Sequence, residues 1–233
     1  MSIVITVSRQ LGSRGSYIAT EVAEKLGLRY IDREILKRAA EKAGYPDEKM
    51  VALLEQKERV PGLLERIVTS LNAMPMIPTI PSATMREGST YQREMAAMVA
   101  QEFLNQERRE AAGEAYAELI QMVIQEYAES GDVVIAGRGG QVVLKDYPDV
   151  LHVQVQAPVE VRIKNLMERT GVDYDEAEQQ VIHSDRQRTR YMKHFYDVTW
   201  DDPGLYHFVI NTGKTSQDMA VYLISKAATW LSK

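Results

Sequence analysis

The sequence predicts an α/β fold, in which helices cover a parallel sheet of five strands and a long helical insertion interrupts the core. Five short apolar runs rich in Val and Ile predict the strands. Segments with helical spacing of apolar residues separate them, and this alternation is typical of a doubly wound sheet. No run between residues 45 and 130 has a strand pattern. We therefore predict a core of residues 1–44 and 131–233 and a helical insertion of residues 45–130.

The composition is that of an ordinary globular protein, with 45% hydrophobic and 26% charged residues in a chain of 233. No apolar stretch approaches the roughly 18 residues of a membrane-spanning helix, so we expect no membrane association. The absence of cysteine excludes disulfides and thiolate chemistry. The first apolar run ends at Val7, too short for a signal peptide, so we expect a cytoplasmic protein. A net charge of −5 argues against nucleic acid as the partner.

The first strand is predicted from the continuous apolar run Ile3 to Val7, which is typical of a strand covered on both faces. A turn from Gly12 to Gly15 follows. The next helix is predicted from one apolar stripe, formed by Ile18, Val22 and Leu26. Gly27 stands where a helix C-cap is expected. The order at this end is therefore strand, glycine turn, helix.

The second strand is the short run Arg29 to Ile31. Asp32 follows it directly and is a favourable N-cap for the helix that comes next. The apolar residues of that helix are Ile35, Leu36, Ala39, Ala40 and Ala43. Gly44 is expected to end it.

The insertion combines helical spacing with a segment that excludes regular helix. Pro75, Pro78 and Pro81 lie in that segment, MPMIPTIPSATMREGST. It is either a long functional loop or a surface connection between two helices, and its residues do not decide between these interpretations. We expect contacts between copies of the chain, if it forms a homo-oligomer, to lie in this insertion.

The last three strands follow the insertion. Val133 to Ala136 is a continuous apolar run, as expected for a buried parallel strand. Leu151 to Val155 alternates instead, because His152 and Gln154 interrupt it, and we expect this strand nearer an edge or facing a polar cleft. His207 to Ile210 is the fifth strand.

The turn from Gly12 to Gly15 is the first candidate site. A glycine turn between a buried strand and a helix presents backbone N–H groups and the positive helix end to an anion. The strict phosphate-loop pattern G-x-x-x-x-G-K-[ST] is not met, because no lysine occurs before Lys25. From the motif alone, a phosphate site and a tight structural turn are equally supported.

Three further groups of charged residues follow predicted elements. Asp32 and Arg33 lie at the end of a strand, where open α/β sheets bind ligands. Arg138 lies between glycines in AGRGG, also at a strand end, where packing does not explain an arginine. The segment from His183 to Lys193 carries a net charge of +3. A cationic face of Arg186, Arg190 and Lys193 is expected on it, with Arg188 to one side.

Four segments carry a family resemblance that covers both ends of the chain. They are SRQLGSRGSYIATEVAEKLGLRYIDREIL, VVIAGRGGQVVLKDYPDVLHVQVQAP, HSDRQRTRYM and LYHFVINTGKTS. In this order they resemble the cytidylate-kinase-like branch of the P-loop nucleoside monophosphate kinases. The resemblance implies a P-loop kinase core, ATP and Mg²⁺ as cofactors, nucleotide substrates, and an arginine-rich lid at about residues 181–196.

The loop departs from the GSGKGT of cytidylate kinases because its lysine is missing. Aligned without a gap on residues 12–17, the motif places Gly15 at the lysine. With a one-residue deletion it places Arg14 there and Ser16 at the magnesium-binding threonine. Both registers stay open, and either Arg9 or Arg14 would replace the charge of the lysine. The residues that the resemblance assigns to the donor nucleotide are Arg9, Gly12, Ser13, Arg14, Gly15 and Ser16.

The resemblance also assigns the other candidates. Asp32, Arg33 and Arg138 would belong to the acceptor site, although Ala136 and Gly139 replace two acids of the Asp-Gly-Arg-Asp segment of cytidylate kinases. The lid arginines would close over the transferred phosphoryl group as catalytic residues, and they are Arg186, Arg188 and Arg190. The implied reaction moves the γ-phosphoryl group of ATP to a nucleoside monophosphate or a similar small phosphorylated acceptor. The alternative is a nucleotide-binding regulatory protein that has lost catalysis with the loop lysine.

Overall fold

The computed structural model of the chain describes residues 2–32, 34–42 and 117–231. Two compact units divide the chain: Met1–Ile35 with Ile120–Lys233, and Leu36–Leu119. Arg33 lies outside the described residues, as do the proline-rich segment and most of the predicted insertion. The insertion and its role in oligomer contacts therefore stay predictions.

A five-stranded parallel sheet forms the centre of the first unit. Its strands are β1 (Val4–Arg9), β2 (Arg29–Ile31), β3 (Val133–Ala136), β4 (Val150–Gln156) and β5 (Phe208–Asn211). Their order is β2-β3-β1-β4-β5, and Val4 of the central strand pairs with Val133 on one side and Val150 on the other. The predicted α/β class and five-stranded parallel sheet are confirmed. All carboxyl ends of the strands meet at one edge, so the residues that follow them come close together.

The helices lie between the strands in sequence. They are α1 (Gly15–Leu26), α2 (Glu34–Lys42), α3 (described over 117–130), α4 (Gly140–Val143), α5 (Val159–Thr170), α6 (Tyr174–Tyr196) and α7 (Gln217–Leu231). Gly27 ends α1 in a left-handed conformation with φ of 68°, as the sequence predicts. The predicted lid segment is part of α6, whose first turn is capped by the Asp173 carboxylate accepting from the N–H of Glu176 at 2.9 Å. Within the described ranges, no helix has the length and apolar character needed to cross a bilayer.

Helices cover both faces of the sheet. Ile5 and Val7 of β1 are fully buried in an apolar cluster with residues of α1 and α7. Because side chains alternate along a strand, Thr6 points to the opposite face, where it lies against Gly140 of α4. This two-sided covering explains why β1 is a continuous apolar run that ends in a polar loop.

β4 lies next to the edge strand β5, as one of the two expectations for it holds, but it is buried and does not face a polar cleft. The strand lies between β1 and β5, and its residues from Val150 to Val155 are buried. His152 forms a 2.8 Å hydrogen bond with the hydroxyl of Thr6, and Gln154 donates to the backbone oxygen of Trp200 at 3.5 Å. Neighbouring residues thus supply partners for His152 and for the amide nitrogen of Gln154, whereas the described residues supply none for the buried Oε1 of Gln154.

Candidate functional site

A cleft of about 490 Å³ lies at the carboxyl end of β1, where α5 and α6 border the glycine turn. Its lining includes Arg9, Gly12, Arg14, Ser16, Asn165 and Arg188. The fold thus brings residues of the predicted donor loop together with one of the predicted lid arginines.

The glycine turn is held in place from two sides. The buried Ser13 bonds back to the backbone oxygen of Gln10, at 3.2 Å through its N–H and at 2.8 Å through its hydroxyl. Asn165 of α5 donates to the backbone oxygen of Gly12 at 2.8 Å. A Cβ atom at Gly12 would overlap the backbone oxygen of Arg162, and Gly12 also has a φ of 80°. Glycine is therefore required at this point by both contact and conformation.

The turn presents backbone donors to the cleft. The first N–H groups of a helix have no acceptor within it, and they carry the positive end of its dipole. The described residues also supply no acceptor outside the helix for the N–H groups of Ser16 and Tyr17. That of Gly15 is 3.4 Å from the hydroxyl of Ser13. An anion such as a phosphate group fits this end of α1.

Arg9 lies on the inner side of the turn. Its Nε donates to the hydroxyl of Ser16 at 3.2 Å, and its Nη2 lies 2.6 Å from the carboxylate of Asp32. A Cβ atom at Gly137 would overlap its Nη1. The guanidinium therefore occupies the point where the loops after β1, β2 and β3 meet. The position of Asp32 in the sequence predicts a helix cap. In the structure its carboxylate binds the guanidinium of Arg9.

Tyr30 completes this cluster by donating its hydroxyl to Asp32 at 3.3 Å. Burial, followed by the charge of Asp32, raises the pKa of the Tyr30 phenol above its ordinary value. The phenol therefore stays protonated and acts as a donor at neutral pH. Two donors, Arg9 and Tyr30, thus converge on one carboxylate.

Arg14 points to the outer side of the turn. Its Nη2 donates to Asn165 at 2.9 Å and to Glu168 at 3.2 Å, both on α5. Its φ of 62° is left-handed, a conformation that glycine adopts without cost. The register without a gap places the second glycine of GSGKGT at this residue. The backbone thus favours that register, in which Gly15 stands at the lysine position.

The loop after β3 has three consecutive left-handed residues, Gly137, Arg138 and Gly139, with φ of 80°, 57° and 78°. The hydroxyl of Tyr196, the last residue of α6, donates to the backbone oxygen of Arg138 at 3.4 Å. A Cβ atom at Gly139 would lie 2.6 Å from the Tyr196 ring. The two glycines therefore make room for Arg9 and Tyr196, and Arg138 lies at the same sheet edge as Arg9.

On α6, Arg188 is the predicted lid arginine that faces the cleft. It donates to the hydroxyl of Ser184, and its guanidinium carbon lies 5.6 Å from the ring centre of Trp200. Trp200 is buried and is fixed by a 2.8 Å hydrogen bond from its Nε1 to the hydroxyl of Ser8. Arg186 and Arg190 are exposed, and neither is among the described residues that line this cleft. The structure thus brings Arg188, predicted to lie to one side, to the loop.

Comparisons with known sequences give the family of the chain. The sequence profile of the cytidylate kinase-like family matches residues 4–214. The chain belongs to the cytidylate kinase-like family. Cytidylate kinase of Methanopyrus kandleri is 32% identical over 112 residues, which are 45% of this chain and 58% of that protein. Cytidylate kinase of Thermococcus sibiricus is 34% identical over 103 residues, 44% of this chain and 52% of that protein. The matches thus span between half and three fifths of these relatives.

Solved structures support the fold of this cytidylate kinase-like protein. An uncharacterized protein from Eubacterium ventriosum aligns with a TM-score of 0.63 and 22% identity, and 99% of each chain is covered. Shikimate kinase from Bacteroides thetaiotaomicron aligns with a TM-score of 0.50 and 12% identity, covering 98% of this chain and 99% of its own. At these identities the likeness concerns the fold.

The turn supplies backbone donors for phosphate, so a nucleotide phosphate fits this cytidylate kinase-like site. The hydroxyl of Ser16 accepts from the positively charged Arg9 in this arrangement. Among the residues that the structure describes, no group of three or more His, Cys, Asp or Glu side chains is placed to hold a metal ion. The assignment of Ser16 to magnesium stays a prediction.

Sequence reasoning missed Asn165, Arg162 and the contact that fixes Gly137. The burial of Arg162 could have been found, because this residue precedes the buried Leu166 by one helical turn and so lies on the buried side of α5. No such signal exists for Asn165, since its partner Gly12 lies 153 residues away. These residues hold the loop in place.

Proposed function

We propose that this cytidylate kinase-like protein is an ATP-dependent phosphotransferase. It moves the γ-phosphoryl group of ATP, supplied with magnesium, to a nucleoside monophosphate of the cytidylate type or a similar small phosphorylated acceptor. The observation that carries the proposal is the cleft in which the Gly12 to Ser16 turn faces Arg188. Phosphoryl transfer depends on alignment of two anions and neutralisation of their charge, and this cleft offers donors for the donor phosphates and for the transferred group.

On the donor side, the turn would bind phosphate oxygens through its backbone N–H groups, with Arg9 in place of the missing lysine. An arginine has five N–H donors, and the described contacts of Arg9 with Ser16 and Asp32 use two of them. The remaining donors can bind phosphate in the planar, two-point manner that lysine cannot provide. Asp32 would hold the guanidinium in position for this task.

On the acceptor side, Arg138 would bind the phosphate of the acceptor, with Arg33 as the second cation and Asp32 close by. Arg138 lies at the carboxyl edge of the sheet, where this class of fold binds ligands. With α6 in the position described, Arg188 would contact the transferred phosphoryl group. Arg186 and Arg190 would reach this group after a movement of α6. Closure of these arginines over the cleft would also exclude water.

The test is an acceptor screen with the full chain. ATP binding is measured first by its effect on thermal unfolding, and ADP formation is then assayed with magnesium, ATP and CMP, UMP, dCMP, AMP or shikimate. We expect CMP or a close relative to stimulate ADP formation above ATP alone. ATP binding without turnover on any acceptor would favour the regulatory alternative. Absence of stabilisation at millimolar ATP would contradict the donor site itself.

Variants of the two loop arginines test which one replaces the lysine. Arg9→Ala should weaken ATP binding about tenfold or more, because a charge-assisted phosphate contact is lost, and Arg9→Lys should restore part of it. Arg14→Ala is the matched control, and its effect should stay within about twofold because its ion pair is exposed. A larger loss of ATP binding for Arg14→Ala than for Arg9→Ala would reverse the assignment.

Arg138→Ala should weaken acceptor use and leave ATP binding unchanged.

A further inference from the structure

Arg162 is a charged residue that the proposed reaction does not use, yet it is only 2% exposed. Its Nε donates to the backbone oxygen of Ala157 at 3.1 Å. Its Nη1 lies 3.0 Å and 2.8 Å from the two carboxylate oxygens of Asp185. This one side chain therefore ties the segment after β4 to α6.

The same turn of α5 also contacts the glycine turn. The backbone oxygen of Arg162 occupies the space that a Cβ atom at Gly12 would need. One turn further, Asn165 donates to the backbone oxygen of Gly12 at 2.8 Å. Arg162 therefore connects α6 to α5, the helix against which the glycine turn packs.

Apolar packing fixes the other half of α6. The cluster between the two helices consists of Ile163, Leu166, Ala177 and Val181. On α6 it ends at Val181, one turn before Asp185, and Arg188 follows Asp185 by three residues. Asp185 therefore lies between the part of α6 that packs on α5 and the arginine that faces the cleft.

A buried arginine and a carboxylate attract each other only in a defined geometry, and either one left alone is strongly unfavourable. We propose that Arg162 and Asp185 form a positioning pair that sets the rotation of α6, so that Arg188 faces the loop from Gly12 to Ser16. The pair touches neither donor nor acceptor in this assignment and acts through Arg188. Its effect on the reaction rests on the proposed function, but its effect on Arg188 does not.

The first test uses Trp200, over whose ring Arg188 lies. The chain has two tryptophans, so Trp230→Phe leaves Trp200 as the sole fluorophore. In this background Asp185→Asn should increase acrylamide quenching of Trp200, because Arg188 no longer covers the ring. The matched control is Tyr174→Phe, which removes an exposed hydrogen bond from α6 to Glu160 of α5. Quenching in Asp185→Asn equal to that in the control, with both proteins folded, would overturn the proposal.

A second variant separates positioning from folding. Arg162→Met combined with Asp185→Leu removes both charges and keeps similar volume, a change that leaves stability nearly unchanged or raises it. Urea unfolding checks the fold. Increased quenching of Trp200 in this folded protein would support a positioning role, and unchanged quenching would overturn it. Arg162→Lys should be intermediate, because lysine keeps the charge and loses the joint contact with Ala157.

The kinetic test applies to the phosphoryl transfer proposed above. The double variant should lower kcat about 10²-fold through misplacement of Arg188, with a much smaller change in the KM for ATP. Full retention of kcat would overturn the proposal. If the parent protein shows no turnover with any acceptor, the proposed function fails, and the quenching of Trp200 alone decides on the pair.

Discussion

Two arginines, Arg14 and Arg138, have a left-handed backbone that their side chains do not favour, with φ of 62° and 57°. The other non-glycine residues with positive φ in the described ranges are aspartates, Asp132, Asp149 and Asp197. Aspartate tolerates this conformation through local hydrogen bonds, whereas arginine pays about 1–2 kcal/mol. Both arginines lie in loops at the carboxyl edge of the sheet. Strain of this kind concentrates at binding sites, which agrees with the site proposed there.

Gly137→Ala tests the contact between the β3 loop and Arg9. The new Cβ atom would overlap Nη1 of Arg9 at a φ of 80°, so we expect lower stability and weaker ATP binding. Gly171→Ala is the matched control, because its φ is 75° and its Cβ atom would meet open space. The control should lose about 1 kcal/mol from backbone strain alone and keep ATP affinity. Urea unfolding measures the stability of the two variants, and ATP titration measures their affinity. Equal effects in the two variants would contradict the role of Arg9.

At the scale of elements, α6 joins two different surfaces in one 23-residue helix. Its first half packs on α5 through apolar residues, and its second half carries the arginines. Because residues three or four apart share a helix face, Arg186 and Arg190 are exposed together while Arg188 turns to the cleft. The three arginines therefore predict unequal effects on catalysis.

Arg188→Gln should lower kcat more than Arg186→Gln or Arg190→Gln, each assayed with the best acceptor. An arginine that contacts the transferred group contributes about 10³ to 10⁵ in rate in other phosphoryl-transfer enzymes, so about 10²-fold or more should be lost at Arg188. The KM for ATP should change less, since the contact strengthens in the transition state. The reverse order of effects would indicate that α6 rotates during the reaction.

Local patterns were enough to predict most of the sheet. β2 and β3 have the predicted bounds, because their apolar runs end where the polar loops begin. β1 continues to Arg9 because Arg9 pairs with Val155 of β4, and β4 continues to Gln156 because Gln156 pairs with Asn211 of β5. The error in the environment of β4 has the same origin, since the partners that bury His152 and Gln154 come from other elements.

The site was predictable only where one segment carries the signal. Glycine turns and the basic segment are visible in single stretches of sequence, whereas ion pairs are not. Arg9 with Asp32, and Arg162 with Asp185, each join residues 23 positions apart on different elements. No periodicity indicates such a pair, so the sequence could not choose between Arg9 and Arg14 as the replacement for the lysine.

At the scale of the whole molecule, His152 couples global stability to pH. Burial, followed by the charge of His207, lowers the pKa of His152 from 6.5 to about 4. Between these values the unfolded chain binds a proton that the folded chain does not, so stability falls as pH decreases from 6.5 towards 4. The full effect is at most about 3 kcal/mol. Above pH 6.5 this contribution to stability is fully present.

His152→Gln should flatten this pH dependence, measured by urea unfolding between pH 7 and pH 4. His194→Gln, a change at an exposed histidine of α6, is the control and should keep the slope of the parent protein. The parent and His152→Gln proteins should differ in slope between pH 6.5 and 4, where the proton is bound only on unfolding. Identical slopes in the parent and His152→Gln proteins would show that other groups govern the acid transition.

The central place of β1 in the sheet also matters while the chain is being synthesised. Its first partner along the sequence, Val133 of β3, follows Val4 by 129 residues, and Val150 of β4 comes later still. At about 5–20 residues per second, translation leaves β1 without a neighbouring strand for roughly 6 to 26 s. Throughout that interval an apolar strand is available to chaperones or to other nascent chains. The order of the strands therefore makes a strand that is synthesised before both of its partners wait for the sheet to be completed around it.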